Sequence, residues 1–99
     1  MLVSLNVFLD GKNKKLERVG GKMKQGVLGY NRENDRYGLL QSDLWVIEGF
    51  HCGEHLEIKI EGEWIPTRFE YDHGRQEWYL VGTPFRGEAL AYLTARVEW

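Results

Sequence analysis

Between residues 56 and 81 the sequence LEIKIEGEWIPTRFEYDHGRQEWYLV holds three runs of strand character separated by two short turns, and few folds accept such a stretch. Leu56, Ile58 and Ile60 alternate with Glu57 and Lys59, the period of two expected of a strand with one dry and one wet face. Gly62 turns the chain. In residues 64–71, Ile65, Thr67, Phe69 and Tyr71 fall on one face and Trp64, Pro66, Arg68 and Glu70 on the other. A third run at 77–81 follows the turn-rich Asp72, His73 and Gly74. Two hairpins in series make a three-stranded meander, about the smallest sheet that holds together when it has an apolar face to bury.

The chain has 99 residues, enough for one domain with one core and too few for a cleft between two lobes. Four Trp, five Tyr and four Phe are more aromatic surface than so small a core easily hides, so part of it is expected outside. Charge is uneven. Residues 1–22 hold five basic residues (Lys12, Lys14, Lys15, Arg18, Lys22) against Asp10 and Glu17, leaving 8 basic and 13 acidic residues in 23–99. A net-acidic body weakens the case for nucleic-acid binding, which rests on concentrated positive charge. Cys52 is the single cysteine, so no intrachain disulfide forms. The N-terminus lacks the pattern of a secretory signal and no apolar run approaches about 18 residues, which points to a cytoplasmic protein without membrane contact.

Residues 1–9 alternate Val3, Leu5, Val7 and Leu9 with Ser4 and Asn6, a strand-like pattern, and Gly20-Gly21 breaks any regular structure that follows. Two readings of residues 1–22 stand: an extra strand, or an appended arm ahead of a domain that starts at Met23, since Gly-Gly-Lys codons before Met can spell a purine-rich ribosome-binding site. Residues 26–30 and 36–40 form a first hairpin across Asn31, Asn34 and Asp35, which tolerate left-handed backbone. Residues 41–55 are expected as an irregular connection folded over one end of the core. After a turn at 83–87 the pattern gives a short helical turn near 88–92 and then a closing strand. Five or six short antiparallel strands make an all-β chain, a small SH3-like barrel over residues 23–99.

The strings YNRENDRYGLL, GFHCGEHLEI, WIPTRFEY and EWYLVG, in this order over roughly residues 24–97, resemble a family of small uncharacterised bacterial and phage proteins, a domain of unknown function with an SH3-like β-barrel. The resemblance implies the fold and no activity. Residues 1–22 lie outside its pattern.

His51, Glu54 and His55 satisfy H-x-x-E-H, a zinc-peptidase pattern in which both histidines bind metal and the glutamate is the base. That geometry needs a helix, whereas Gly49 and Gly53 interrupt this stretch and a strand begins at Leu56. The favoured reading makes Cys52 a small buried residue and His51 and His55 loop side chains; an adventitious zinc site on the three is the alternative. Ser4 and Ser42 lack a nucleophile context, Glu61 and Glu63 flank a turn, and no phosphate-binding glycine loop is present. No cofactor and no catalytic residue are expected.

A surface remains. Trp64 and Arg68 point away from the dry face of residues 64–71, Pro66 between them marks an edge or bulge, and Tyr79 lies in the next run. With Trp45 and Tyr37 they have the composition of binding hot spots and of aromatic grooves that receive extended peptides. The packing alternative places Trp64 under the 41–55 connection and pairs Arg68 with Glu70 or Asp35. The sequence therefore predicts a non-catalytic protein-interaction module of bacterial, phage or mobile-element origin, monomeric or weakly dimeric, whose partner is a protein; modulation of a host protein by that contact is a further class. The second reading is nucleic-acid binding by aromatics, arginines and the basic residues 12–22.

Overall fold

Short turns with left-handed residues cut the chain into strands. The computed structural model describes residues 23–98. Seven strands run in order: β1 (Met23–Asn31), β2 (Arg36–Gln41), β3 (Leu44–Ile47), β4 (His55–Ile60), β5 (Glu63–Asp72), β6 (Glu77–Leu80) and β7 (Thr94–Glu98), with a 3-10 turn at Gly87–Leu90 before the last. The expected all-β fold, the helical turn and the closing strand are all present. The strand-like pattern at residues 3–9 and the appended-arm reading of residues 1–22 lie outside the described residues.

The additional strand is β3, inside the stretch expected to be irregular. Ser42 and Asp43 both take positive φ (49° and 65°), the two-residue turn whose twist matches a hairpin. Glu61 and Gly62 make the same turn between β4 and β5, with φ of 51° and 85°. The β3 register shifts opposite Leu39 and Leu40, so Val46 is a bulge that bends this edge.

All seven strands form one antiparallel sheet in the order β3-β2-β1-β7-β4-β5-β6, curled into a half-barrel. Each half is a local meander, and β7 joins them by pairing with residues 23–27 of β1 and with Glu57 and Ile58 of β4. Strand β1 pairs with β7 over residues 23–27 and with β2 over residues 27–31, so it bends where the two registers meet. Gly26 sits at that bend, and a Cβ there would lie 2.0 Å from the Leu40 carbonyl oxygen.

The concave face carries the core: Leu28, Leu39, Phe50, Ile58, Phe69, Leu80, Leu90 and Ala95 are fully buried. Full burial of side chains this size contributes roughly 2–3 kcal/mol each. The alternation in β5 holds as read, with Thr67 and Phe69 buried and Pro66 and Arg68 exposed. Pro66 faces Glu57 on β4 and lies beyond β6, whose register with β5 covers Phe69 to Asp72, so its missing N–H leaves no ladder incomplete. The free side of β6 is closed by the returning chain through a Tyr79–Arg86 bridge and the bond from Leu80 N–H to Phe85 O (3.2 Å). Among the described residues no helix is long and apolar enough to cross a membrane.

Two substitutions test this account. Gly26→Ala is expected to cost on the order of 3 kcal/mol, because the new methyl meets backbone that cannot yield without distorting β2; urea unfolding followed by circular dichroism should show a lower midpoint. Glu61→Asn gives the β4–β5 turn a residue suited to left-handed backbone ahead of Gly62 and is expected to stabilise by about 1 kcal/mol in the same measurement.

Candidate functional site

Two hairpins of matching design face each other at one end of the half-barrel. The β1–β2 loop (residues 32–35) and the β5–β6 loop (residues 73–76) each have four residues and each close on a left-handed residue, Asp35 (φ 58°) and Gln76 (φ 57°). Side-chain oxygens hold the loop backbones. Asn31 Oδ1 accepts from Glu33 N–H, Asn34 Oδ1 from Arg36 N–H (both 3.0 Å), and Asp72 Oδ1 from Arg75 N–H (3.1 Å). The amides of Asn31 and Asn34 both donate to Glu48 O at 3.0 Å, fastening the first hairpin to the 48–54 connection. Gly49 leaves the space this needs, since a Cβ there would lie 2.7 Å from Asn34 Nδ2.

Across the gap, Trp78 Nε1–H donates to Asp35 O at 2.9 Å and ties the hairpins together. The Arg36 guanidinium lies 5.4 Å from the Trp78 ring centroid and donates to Phe50 O at 3.1 Å. Aromatic rings form a continuous chain from the core to the surface: Phe50 to Phe69 (4.9 Å), Phe69 to Trp78 (6.1 Å), Trp78 to Tyr71 (5.1 Å) and Tyr71 to His73 (5.0 Å). A branch runs from Phe69 to Tyr37 (6.4 Å) and on to Tyr30 (5.3 Å).

Of these rings Tyr30, Tyr37, Tyr71, His73 and Trp78 line an open groove of about 1430 Å³, with Gly87, Glu88 and Ala91 as one wall and His51 and Cys52 on its rim. The Tyr37 hydroxyl donates to Gly87 O at 3.0 Å, joining floor to wall. The Tyr30 hydroxyl donates to Asp35, and that bond, which needs the phenol protonated, raises the Tyr30 pKa. Burial raises the Tyr37 pKa, with Glu88 adding to it. At the far side of the second hairpin Arg86 bonds Glu77 (2.8 Å) and Asp72 (3.3 Å) and lies 4.9 Å from the Tyr79 ring centroid.

The residues singled out from sequence separate into two faces. Tyr37 is 7% exposed and forms the groove floor. Trp64, Arg68 and Tyr79 lie on the opposite, outer face, each engaged: Trp64 between Arg96 (4.2 Å) and Lys59 (5.5 Å), Arg68 with Glu70 (2.9 Å), and Tyr79 under Arg86. Trp64 therefore packs against charged stems from β7 and β4, and not under the 41–55 connection. Trp45 is on the far edge strand β3, its ring reaching toward Gly29.

Residues 51–54 form a turn and not a helix, closed by Glu54 N–H to His51 O (3.1 Å) and by His51 N–H to the Glu54 carboxylate (2.7 Å), and His55 already belongs to β4. His51 and His55 thus lack the one-turn spacing that H-x-x-E-H metal binding needs. Cys52, expected to be buried, is exposed, because the turn carries it outward before β4 begins. Among the described residues no group of three His, Cys, Asp or Glu side chains is placed to hold a metal ion. Sequence reasoning did not assign Tyr30, Tyr71 or Trp78 to a site and placed Arg36 only among the arginines of the nucleic-acid reading; the hairpin register that sets Tyr71 opposite Trp78 was the available signal for that pair.

This chain belongs to DUF5348. That family, described as a domain of unknown function, matches residues 26–97, which takes in most of β1, all of β2 to β6 and β7 up to Val97. The crystal structure of a Ruminococcus gnavus protein, solved by the Northeast Structural Genomics Consortium, is 32% identical with a TM-score of 0.62, over 75% of this chain and 100% of that one. No curated protein matches the chain.

The second hairpin carries a pH dependence. Bonds to the Asp72 carboxylate, first from the Arg75 N–H and then from Arg86, lower its pKa. A carboxyl depressed on folding stabilises above its unfolded pKa of about 4 and loses that contribution as pH falls through its folded value. Urea midpoints measured from pH 5 downwards should fall more steeply for the wild-type protein than for Asp72→Asn.

Proposed function

We propose that this domain is a non-catalytic protein-interaction module, and that an extended segment of a partner protein lies in the groove between the β1–β2 and β5–β6 hairpins. The observation that carries this is the lining. Tyr30, Tyr37, Tyr71, Trp78 and His73 present ring faces and edges along one open channel, the surface that receives extended peptides in small barrels. Its volume of about 1430 Å³ exceeds the roughly 300–1,000 Å³ of small-molecule pockets. Much of the polar equipment around it is already committed to the scaffold: the side chains of Asn31, Asn34 and Arg36 and the Tyr37 hydroxyl all donate to backbone oxygens. Rings are what the groove offers a ligand. Asp35, Glu77 and Glu88 against Arg36 on its walls oppose a phosphate backbone.

The test separates the two faces of the sheet. Tagged full-length protein is used to capture partners from host lysate, alongside a Tyr71→Ala/His73→Ala variant in the groove and a Trp64→Ala variant on the outer face, each shown folded by its amide NMR spectrum. The expected result is a protein whose recovery drops about tenfold or more with the groove variant and is unchanged with Trp64→Ala. Loss confined to Trp64→Ala, or capture of nucleic acid that disappears with added salt, overturns the proposal.

A further inference from the structure

We infer that the groove is built to seat a basic side chain of the partner segment, held against the Tyr30, Tyr37 and Tyr71 rings between Asp35 and Glu88; this rests on the interaction-module reading and names the chemistry of its anchor. Of the three carboxylates on the groove walls, Glu77 is neutralised by Arg86 at 2.8 Å. Among the described residues Asp35 has only the Tyr30 hydroxyl as a side-chain partner, and Glu88 on the facing wall has no ion pair. Both border the same pair of rings. Asp35 accepts from the Tyr30 hydroxyl, Glu88 directly follows Gly87, whose carbonyl accepts from the Tyr37 hydroxyl at 3.0 Å, and the two tyrosine rings are 5.3 Å apart. The phenol shifts accord with this placement: the bond to Asp35 is the main cause of the raised Tyr30 pKa, and burial is the main cause at Tyr37, with the Glu88 charge adding to it.

A ring face is itself an electron-rich surface that attracts cations, most strongly where water is displaced. The molecule already uses this pairing a few ångströms away, where the Arg36 guanidinium lies against Trp78 and donates to a carbonyl oxygen. A second guanidinium or ammonium arriving at Tyr30 and Tyr71 would meet the same two elements, ring faces and anionic oxygen. An anionic ligand would meet carboxylates on both walls.

The experiment uses the full chain with three labelled decapeptides of one Gly-Ser-Pro framework that carry two arginines, two citrullines or two glutamates. Citrulline keeps the shape of arginine and removes the charge. Fluorescence anisotropy at low ionic strength should show the arginine peptide binding about tenfold tighter than the citrulline peptide, with the Trp78 indole N–H resonance moving in the NMR spectrum. Asp35→Asn/Glu88→Gln should bring the two within about twofold; Asn suits the left-handed backbone at position 35, and Glu88 is exposed, so the variant keeps the fold. Equal binding of arginine and citrulline peptides with the indole still moving overturns the cationic anchor and leaves the groove as the docking site. Tighter binding of the glutamate peptide or of an oligothymidylate overturns the anchor by sign. If no peptide moves the indole and Tyr71→Ala/His73→Ala leaves partner capture unchanged, both readings fall.

Discussion

Strand β7 is the constraint on which the rest depends. The β1-β2-β3 and β4-β5-β6 meanders are each made of neighbours in sequence, and β7 alone links them into one sheet. It does so with little room, because Ala95 is fully buried between Gly26 on one side and Ile58 on the other. A larger side chain at Ala95 would crowd the core at this seam, and one at Gly26 would strike the Leu40 carbonyl of β2. The curl that brings the two far hairpins face to face, and with them the groove, follows from this narrow seam.

The aromatic excess divides into two uses. On the concave face Phe50, Phe69, Trp78 and Tyr37 fill the core, and Tyr71 and Tyr30 carry the same stack into the groove. On the convex face Trp64 is a platform. Arg96 of β7 lies on its ring and bonds Glu57 of β4 at 2.6 Å, so one guanidinium fastens three strands from outside. Exposed ion pairs alone contribute little, up to about 1 kcal/mol. Here the pair also packs on a ring, and its position across the β7–β4 seam matters more than its strength.

Strands with one wet face were legible because alternation reports burial directly: the inward set of Thr67 and Phe69 in β5 and the closing strand were both readable from spacing. Strand β3 was not, since Ser42 and Asp43 take left-handed backbone without the glycine that usually advertises it. The groove was illegible for a different reason. Asp35 and Trp78, joined by one hydrogen bond, stand 43 positions apart, and no local pattern records that contact. Trp64 and Tyr79 drew notice because alternation turns them outward. What covers them is revealed only by the fold: Arg96 through the sheet order, which sets β7 beside β4, and Arg86 through the chain that returns along β6.

The place of β7 in the sheet also bears on how the molecule is made. On the ribosome both meanders emerge while the strand that belongs between them is still to come, so the pairing flanks of β1 and β4 wait open and adhesive. Nascent chains halted after Leu80 should therefore be the species most prone to clump and most in need of a chaperone, and the emergence of β7 is the moment the half-barrel shuts.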